Sequence, residues 1–279
     1  MVEQDLYRNR DFVPDFDALM EETAARSRDL ASRAHLRRDL PYGDTPRQKL
    51  DIVSPSGVVS GAPIHMFIHG GYWRAGSKDI HTLVAGPVLE AGGIAAIIGY
   101  DLMPDTRLAE IVEQVRKAAR FVADHAAEWG GDPARFTASG HSAGGHLASL
   151  LAARAPGDAT LPDLPPIRGL ILVSGIYDLS GIPGSFLKDE ARMRPDEAAA
   201  WSPLSALQLP CGPRVITRGE AETKPFHEQA SALDALLKQG GHDSELRRET
   251  GSNHLSIVFN LADSAHPLGR RLLHMVAES

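Results

Sequence analysis

The sequence predicts an α/β protein: one doubly wound domain on a mainly parallel sheet, with a small cap inserted late in the chain. Three observations lead there. Strand-like and helix-like patterns alternate from about residue 48 to the C-terminal end. Glycine-rich turns, His69-Gly70-Gly71 and Gly140-His141-Ser142-Ala143-Gly144, follow two of the apolar runs. The 279 residues are 43% hydrophobic, enough for a sizeable core, and 23% charged, which argues against global disorder.

The elements follow in order. Residues 14–38 predict a helix, because Phe16, Leu19, Met20, Thr23, Leu30 and Ala34 form an imperfect apolar stripe on a charged segment. This N-terminal helical arm, residues 1–45, is expected to pack over the body of the domain or to frame a substrate entrance. The main domain, residues 46–279, begins with residues 48–53, which alternate with period two and stop at Ser54-Pro55-Ser56-Gly57. Apolar runs at 64–69 and 94–98 read as buried strands. Thr106 is placed to cap a long helix carrying Ile111, Val115, Ala118, Ala119 and Val122. Residues 135–139 form a short strand, and a helix follows from Gly145. Strands are predicted at 169–175, 214–218 and 244–248, with helices at 226–238 and 267–276. Residues 178–203 break the alternation with Gly181, Pro183, Gly184 and Pro195, and read as the cap.

Composition excludes several classes. The net charge is −7 and no basic stripe appears; Arg26, Arg28, Arg33, Arg37 and Arg38 are interrupted by acids and read as a solvated helix face, so no nucleic-acid partner is expected. Cys211 is the sole cysteine, which rules out an intramolecular disulfide, and its place between Pro210 and Gly212 makes thiol catalysis improbable. The first residues lack the apolar core of a signal peptide, and no stretch approaches the ~20 apolar residues of a membrane span. A soluble, cytoplasmic protein with no membrane partner is expected.

Gly140-His141-Ser142-Ala143-Gly144 carries the chemistry. A serine on a sharp strand-to-helix turn is pushed out of the sheet, and its flanking glycines avoid clashes with neighbouring backbone. This is the nucleophile elbow of the α/β-hydrolase fold. His69-Gly70-Gly71-Tyr72-Trp73, after an upstream strand, is where that fold places its other oxyanion loop. The N–H groups of Gly71, Tyr72 and Ala143 are the expected oxyanion donors, and His69 is read as structural. A serine needs a base, and the chain order of this fold is serine, acid, histidine. Of the late histidines, His254 is preferred because Gly251-Ser252-Asn253-His254 forms a loop directly after a strand. His242 precedes that strand, while His266 and His274 fall at or inside the last helix. Glu220 and Glu222 both follow the strand at 214–218, and spacing alone does not choose between them. No compact histidine pattern of the His-Glu-x-x-His kind is present, so neither metal nor cofactor is expected.

Those two glycine motifs, with Gly219-Glu220-Ala221-Glu222-Thr223-Lys224-Pro225-Phe226-His227-Glu228-Gln229, together resemble the arylformamidase (kynurenine formamidase) branch of the α/β hydrolases. That branch lies close to the hormone-sensitive-lipase-like esterases. His254-Leu255-Ser256-Ile257 and Asp263-Ser264-Ala265-His266-Pro267-Leu268-Gly269 are similar as well. The resemblance runs from about Leu50 onward and is weak in the arm. It implies a catalytic acid at Glu222, four residues before Phe226, where many relatives carry aspartate. It also implies hydrolysis of N-formyl-kynurenine to kynurenine and formate, a step of tryptophan breakdown. The expected catalytic set is therefore Ser142, Glu222 and His254. Trp73, Tyr100 and Phe186 are the candidates for the substrate pocket, with Met193 a further one in the cap. The expected partner is a small-molecule amide or ester, and a homodimer stays open. A carboxylesterase for short acyl esters shares every one of these catalytic residues; a non-catalytic binding protein of the same fold is the alternative from another class.

Overall fold

The computed structural model describes residues 4–57 and 60–279. Its strands are β1 (His35–Pro41), β2 (Lys49–Ser54), β3 (Ala62–Ile68), β4 (Ile94–Ile98), β5 (Gly131–His141), β6 (Ala153–Arg154), β7 (Ile167–Val173), β8 (Leu207–Gln208), β9 (Arg214–Gly219) and β10 (Ser244–Glu249). Its α-helices are α1 (Phe16–Arg33), α2 (Ala85–Glu90), α3 (Leu108–Asp124), α4 (Ala143–Ser149), α5 (Pro195–Trp201), α6 (Lys224–Gln239), α7 (Ile257–Leu261) and α8 (Pro267–Ala277). Eight strands form one sheet in the order β1-β2-β4-β3-β5-β7-β9-β10, while β6 and β8 make a separate two-stranded ribbon. β2 runs antiparallel to both its neighbours, and the pairs from β4 to β10 are parallel. This is the α/β-hydrolase fold.

The period-two geometry of a strand sorts residues to two cores. Along β3, Ile64, Met66 and Ile68 face one core, which also holds α3, α4 and α6 side chains such as Ile111, Leu147 and Leu233. Phe67 faces the other, with Val88 of α2, Leu261 of α7 and Leu272 of α8. β4 divides the same way, Ile94, Ala96 and Ile98 against Ala95 and Ile97. Burying each large aliphatic side chain stabilises the fold by roughly 1.5–3 kcal/mol. Buried on both faces, these strands are continuous apolar runs, which is why they are legible in the sequence. The connection from β3 through α2 leads outward to β4, and α3 then carries the chain back past β3 to β5. The order of strands therefore reverses at β3, and the crevice beyond its carboxyl end is where ligands bind in such sheets.

Two expectations change. The N-terminal helix stops at Arg33, and His35–Pro41 is an edge strand, not helix. The arm's last part thus belongs to the main sheet, and Arg37 and Arg38 lie on that strand. Leu36 pairs with Val53 and Leu40 with Leu50, across an irregularity at which Asp39 takes a positive φ of 57°. Its N–H donates to Asp51 Oδ1 at 2.9 Å. Such a strand exists because β2 offers it hydrogen bonds, which no local periodicity announces. Second, α3 begins at Leu108, with Arg107 at its N-cap position, not Thr106. The Leu108 N–H donates to Glu197 Oε1 at 2.9 Å, so the cap segment supplies the acceptor that the helix end needs. The interval read as the cap holds two short helical runs, a 3-10 turn at Phe186–Lys188 and α5. No helix among the described residues is long and apolar enough to cross a membrane.

The core also encloses neutral histidines. His65 lies between Thr137 Oγ1 at 2.9 Å and Ser139 Oγ at 2.7 Å. His146 accepts from Trp73 Nε1–H at 3.1 Å and donates through Nε2 to the Trp201 carbonyl at 2.8 Å, an arrangement only the neutral ring can make. Burial pushes His65 and His69 down to about 3 and His81 and His146 down to about 4. In the unfolded chain they titrate near 6.5. Between about pH 6.5 and 4 the unfolded chain therefore binds more protons, so stability present above this window is lost as pH falls through it. Each of the four contributes up to about 1.4 kcal/mol per pH unit there. Urea midpoints measured from pH 7 to 5 should fall steeply; a flat profile would contradict the neutral buried state of these rings.

Candidate active site

β5 ends at His141, and Ser142 follows at φ 57° and ψ −121°, the strained corner of the elbow. Two close approaches hold it there. A Cβ on Gly144 would stand 2.0 Å from the Ile68 carbonyl oxygen, and one on Gly140 would stand 2.1 Å from that of Gly144. The Ser142 N–H donates to the Val173 carbonyl of β7 at 2.8 Å. Ser142 is only 2% exposed, although the elbow motif alone predicts an open position. It sits in the wall of a cavity of about 440 Å³ that the N-terminal segment helps to enclose.

His254 Nε2 lies 2.9 Å from Ser142 Oγ. For Nε2 to accept the serine proton, Nδ1 must carry the ring hydrogen, and Nδ1 faces Glu222 Oε1 at 3.5 Å. That same Oε1 accepts a short hydrogen bond from the Ser174 hydroxyl. His254 Nδ1 and Glu222 Oε2 are buried without a hydrogen bond among the described residues, and a small closure of the 3.5 Å contact with Oε1 would satisfy Nδ1. The base loop is fixed from several sides. Asn253 Oδ1 accepts from the Leu255 and Ser256 N–H groups, each at 2.9 Å, and the Ala221 N–H donates to the Ser252 carbonyl at 2.9 Å. His141 Nε2–H donates to the His254 carbonyl at 2.7 Å. Burial holds His141 well below the usual imidazole range, so it stays neutral beside the base. Phe226 packs its ring 4.6 Å from that of His254.

Glu220, by contrast, turns outward. Its Oε2 accepts from the Gly251 N–H at 3.0 Å, and Arg248 lies 3.4 Å from its Oε1. Among the other late histidines, His266 accepts from the Leu268 N–H at 3.3 Å and caps α8, on which His274 lies. His242 precedes β10.

The loop after β3 is a tight turn with Gly71 at φ 119°, Tyr72 at 51° and Trp73 at 57°. A Cβ on Gly71 would meet the Ala75 carbonyl oxygen at 2.2 Å, so only glycine fits. The Gly71 and Tyr72 N–H groups find no protein acceptor among the described residues. Ala143, buried, opens α4, and the first N–H groups of a helix have no intrahelical acceptor. His69 Nδ1–H donates to the Gly70 carbonyl at 2.7 Å, and its ring stacks on Tyr100 at 4.3 Å.

Three pocket candidates are corrected. Trp73 and Tyr100 are fully buried and do not line the cavity. Trp73 joins the oxyanion loop to His146, and the Tyr100 hydroxyl donates to the His69 carbonyl at 2.8 Å. Both brace the loop from behind. Met193 is also buried and outside the cavity wall. Phe186 does line it, edge-on to Tyr72 with ring centres 5.5 Å apart. The rest of the apolar wall includes Phe16, Met20, Ile80 and Val258. The N-terminal arm lines the cavity, one of the two placements expected for it, but sequence reasoning does not single out residues 8–11 within it, or Ser174. Neither segment carries a motif, and only folding brings them to the site. No group of three or more His, Cys, Asp or Glu side chains among the described residues is arranged to hold a metal ion.

A nucleophile elbow at the switch point of this sheet, with a histidine on the serine and a carboxylate behind it, defines a serine hydrolase of the α/β-hydrolase class. Similarity to known proteins agrees. The BD-FAE family model matches residues 50–163. The kynurenine formamidase of Danio rerio is 31% identical over 247 residues, covering 86% of this chain and 82% of that protein. The chain belongs to the kynurenine formamidase family. The Salmo salar kynurenine formamidase is 28% identical over 275 residues, 96% of this chain and 90% of that protein. A solved structure from Silicibacter sp. TM1040, described as a thioesterase, superposes with a TM-score of 0.80 at 26% identity and covers 97% of both chains.

The elbow glycines give a direct test. Gly144→Ala is expected to lower stability by about 2–3 kcal/mol or more, because backbone must move to admit the methyl group. Gly184→Ala, where a Cβ meets nothing within 4 Å, should stay within about 0.5 kcal/mol of the parent or gain slightly. Urea unfolding of the two variants side by side measures the difference, and equal midpoints would contradict the close approach.

Proposed function

We propose that this chain hydrolyses a small aryl formamide such as N-formyl-kynurenine, with Ser142 as nucleophile, His254 as general base and acid, and Glu222 as the orienting carboxylate. The observation that carries the reading is the 2.9 Å contact between His254 Nε2 and Ser142 Oγ with Glu222 behind Nδ1. His254 takes the hydroxyl proton while Ser142 Oγ attacks the formyl carbon. The oxyanion is stabilised by the N–H groups of Gly71, Tyr72 and Ala143. As the C–N bond breaks, His254 returns its proton to the leaving aryl amine, and a formyl group remains on Ser142. A water molecule, deprotonated by the same imidazole, then releases formate. Glu222 keeps the Nδ1–H tautomer and offsets the charge on the imidazolium. The names of the Danio rerio and Salmo salar relatives support the formamide as substrate.

The same serine machinery suits short acyl esters, a second reading, and the thioesterase description of the similar solved structure supports acyl transfer of this general kind. Parallel kcat/KM values for N-formyl-kynurenine and a short-chain aryl ester separate the two. Formamide turnover lost in Ser142→Ala by at least about 10⁴-fold, with fluorophosphonate labelling of the parent but not of that variant, is the expected result. Turnover of the ester alone would overturn the formamide reading.

The acid is tested by a pair of variants. Glu222→Ala should lower kcat by about 10²–10⁴-fold, and Glu220→Ala should change it by less than about threefold. Equal, small losses would remove Glu222 from its role.

A further inference from the structure

The cavity wall carries charges that the serine chemistry does not use: Arg8, Arg10, Asp11, Arg74 and Glu190. Three are already engaged. Arg10 makes a two-point pair with Asp17 at 2.7 and 2.8 Å, and Arg74 meets Glu190 at 2.6 Å. Arg8 and Asp11 remain. Among the described residues, neither has an oppositely charged side chain within 4.0 Å, and neither side chain makes a hydrogen bond. The Arg8 guanidinium lies over the Phe186 ring, 5.1 Å from its centre, which leaves its N–H edge free to meet an anion.

The segment bearing these two charges is held firmly. The Asp11 N–H donates to the Arg8 carbonyl at 2.9 Å, closing one turn. Asn9 Nδ2 donates to the Tyr72 hydroxyl at 2.9 Å, and Tyr72 donates in turn to the Tyr7 carbonyl. Asp5 Oδ2 accepts from the Phe186 N–H at 2.5 Å, and Thr223 Oγ1 donates to the Leu6 carbonyl at 2.7 Å. The oxyanion loop, the cap and the acid loop therefore all fix the segment. Arg8 and Asp11 are three residues apart and of opposite sign, yet they do not pair. A cation and an anion left unpaired among the described residues, set apart in the cavity wall on a backbone that is held in place, match a ligand that carries both charges itself.

We propose that Arg8 and Asp11 hold the α-amino-acid head group of the substrate, Arg8 on its carboxylate and Asp11 on its ammonium group. This rests on the hydrolase reading above and narrows its substrate to aryl formamides that carry a zwitterionic side arm. The aryl ring lies along the apolar wall, and the reacting carbonyl reaches Ser142. These contacts are made equally in the ground state and the transition state, so they act on KM and not on kcat.

Steady-state kinetics on N-formyl-kynurenine, its α-carboxamide and its α-N-acetyl derivative test the assignment. In the parent protein each neutralised derivative should show a KM about 5–10-fold higher, with kcat within about twofold. R8M should raise KM for the free amino acid to the level of the carboxamide and leave the carboxamide's own KM unchanged. D11N should do the same for the N-acetyl derivative, and R8K should restore part of the R8M loss. The preference of the parent for the free amino acid should also weaken with added salt, because both charges are exposed. Equal KM values for all three substrates in the parent would overturn the proposal, as would variants that weaken all three alike. A second series on O-acetyltyrosine, its carboxamide and its N-acetyl derivative separates the two readings. Discrimination in that ester series with no formamide turnover overturns the formamide reading and supports the head-group contacts. Turnover in both series without discrimination overturns the head-group contacts alone.

Discussion

The contact between the elbow and the end of β3 is the constraint on which the site depends. Gly144 approaches the Ile68 carbonyl so closely that no side chain fits between them. That approach sets the first turn of α4 against the last residue of β3, and the chain leaving β3 becomes the oxyanion loop. Ser142 and the N–H groups of Gly71, Tyr72 and Ala143, the proposed nucleophile and oxyanion donors, are thereby placed by backbone packing, which costs no reorganisation when charge develops. Gly71, Tyr72 and Trp73 accept positive φ values to complete this geometry. The strain is held by the Tyr100–His69 stack and by the bond from Trp73 to His146.

From that contact the other parts follow in sequence. Placing β3 between β4 and β5 opens the crevice. β9 and β10, further along the same sheet, bring the loops of Glu222 and His254 to its rim. Ser174 at the end of β7 shares the Glu222 carboxylate with His254. His141 does the corresponding service for the base loop, donating to the His254 carbonyl from the residue beside the nucleophile. Burial keeps that ring neutral.

The N-terminal segment and the cap close the remaining side. Leu6, Tyr7 and Asn9 are bonded to the acid loop, to α6 and to Tyr72, while Asp5 holds the cap at Phe186. The cap is tied to α3 through Glu197. Much of the cavity wall is thus formed by segments that are remote in sequence from Ser142 and His254. The two sides of the cavity are built by different means: strand ends for the Ser142 side, side-chain bonds between loops for the N-terminal side.

By itself the sequence determined the strands buried on both faces, the elbow, the glycine loop and the order of serine, acid and histidine. Those features are local: an apolar run, a turn that only glycine permits, a residue type at a strand end. Tertiary structure decided what depends on a partner from elsewhere in the chain. β1 needed β2 to become a strand, and α3 took its N-terminal acceptor from the cap. Glu222 and Glu220 are indistinguishable by spacing, and the two-residue step between them turns one toward His254 and the other toward Gly251 and Arg248. Trp73 stands beside Tyr72 in the chain and Tyr100 at the carboxyl end of β4, yet both point into the core, because the loop they brace must be supported from behind. Arg8 and Asp11 carry no motif, and only the folded chain brings them to the cavity.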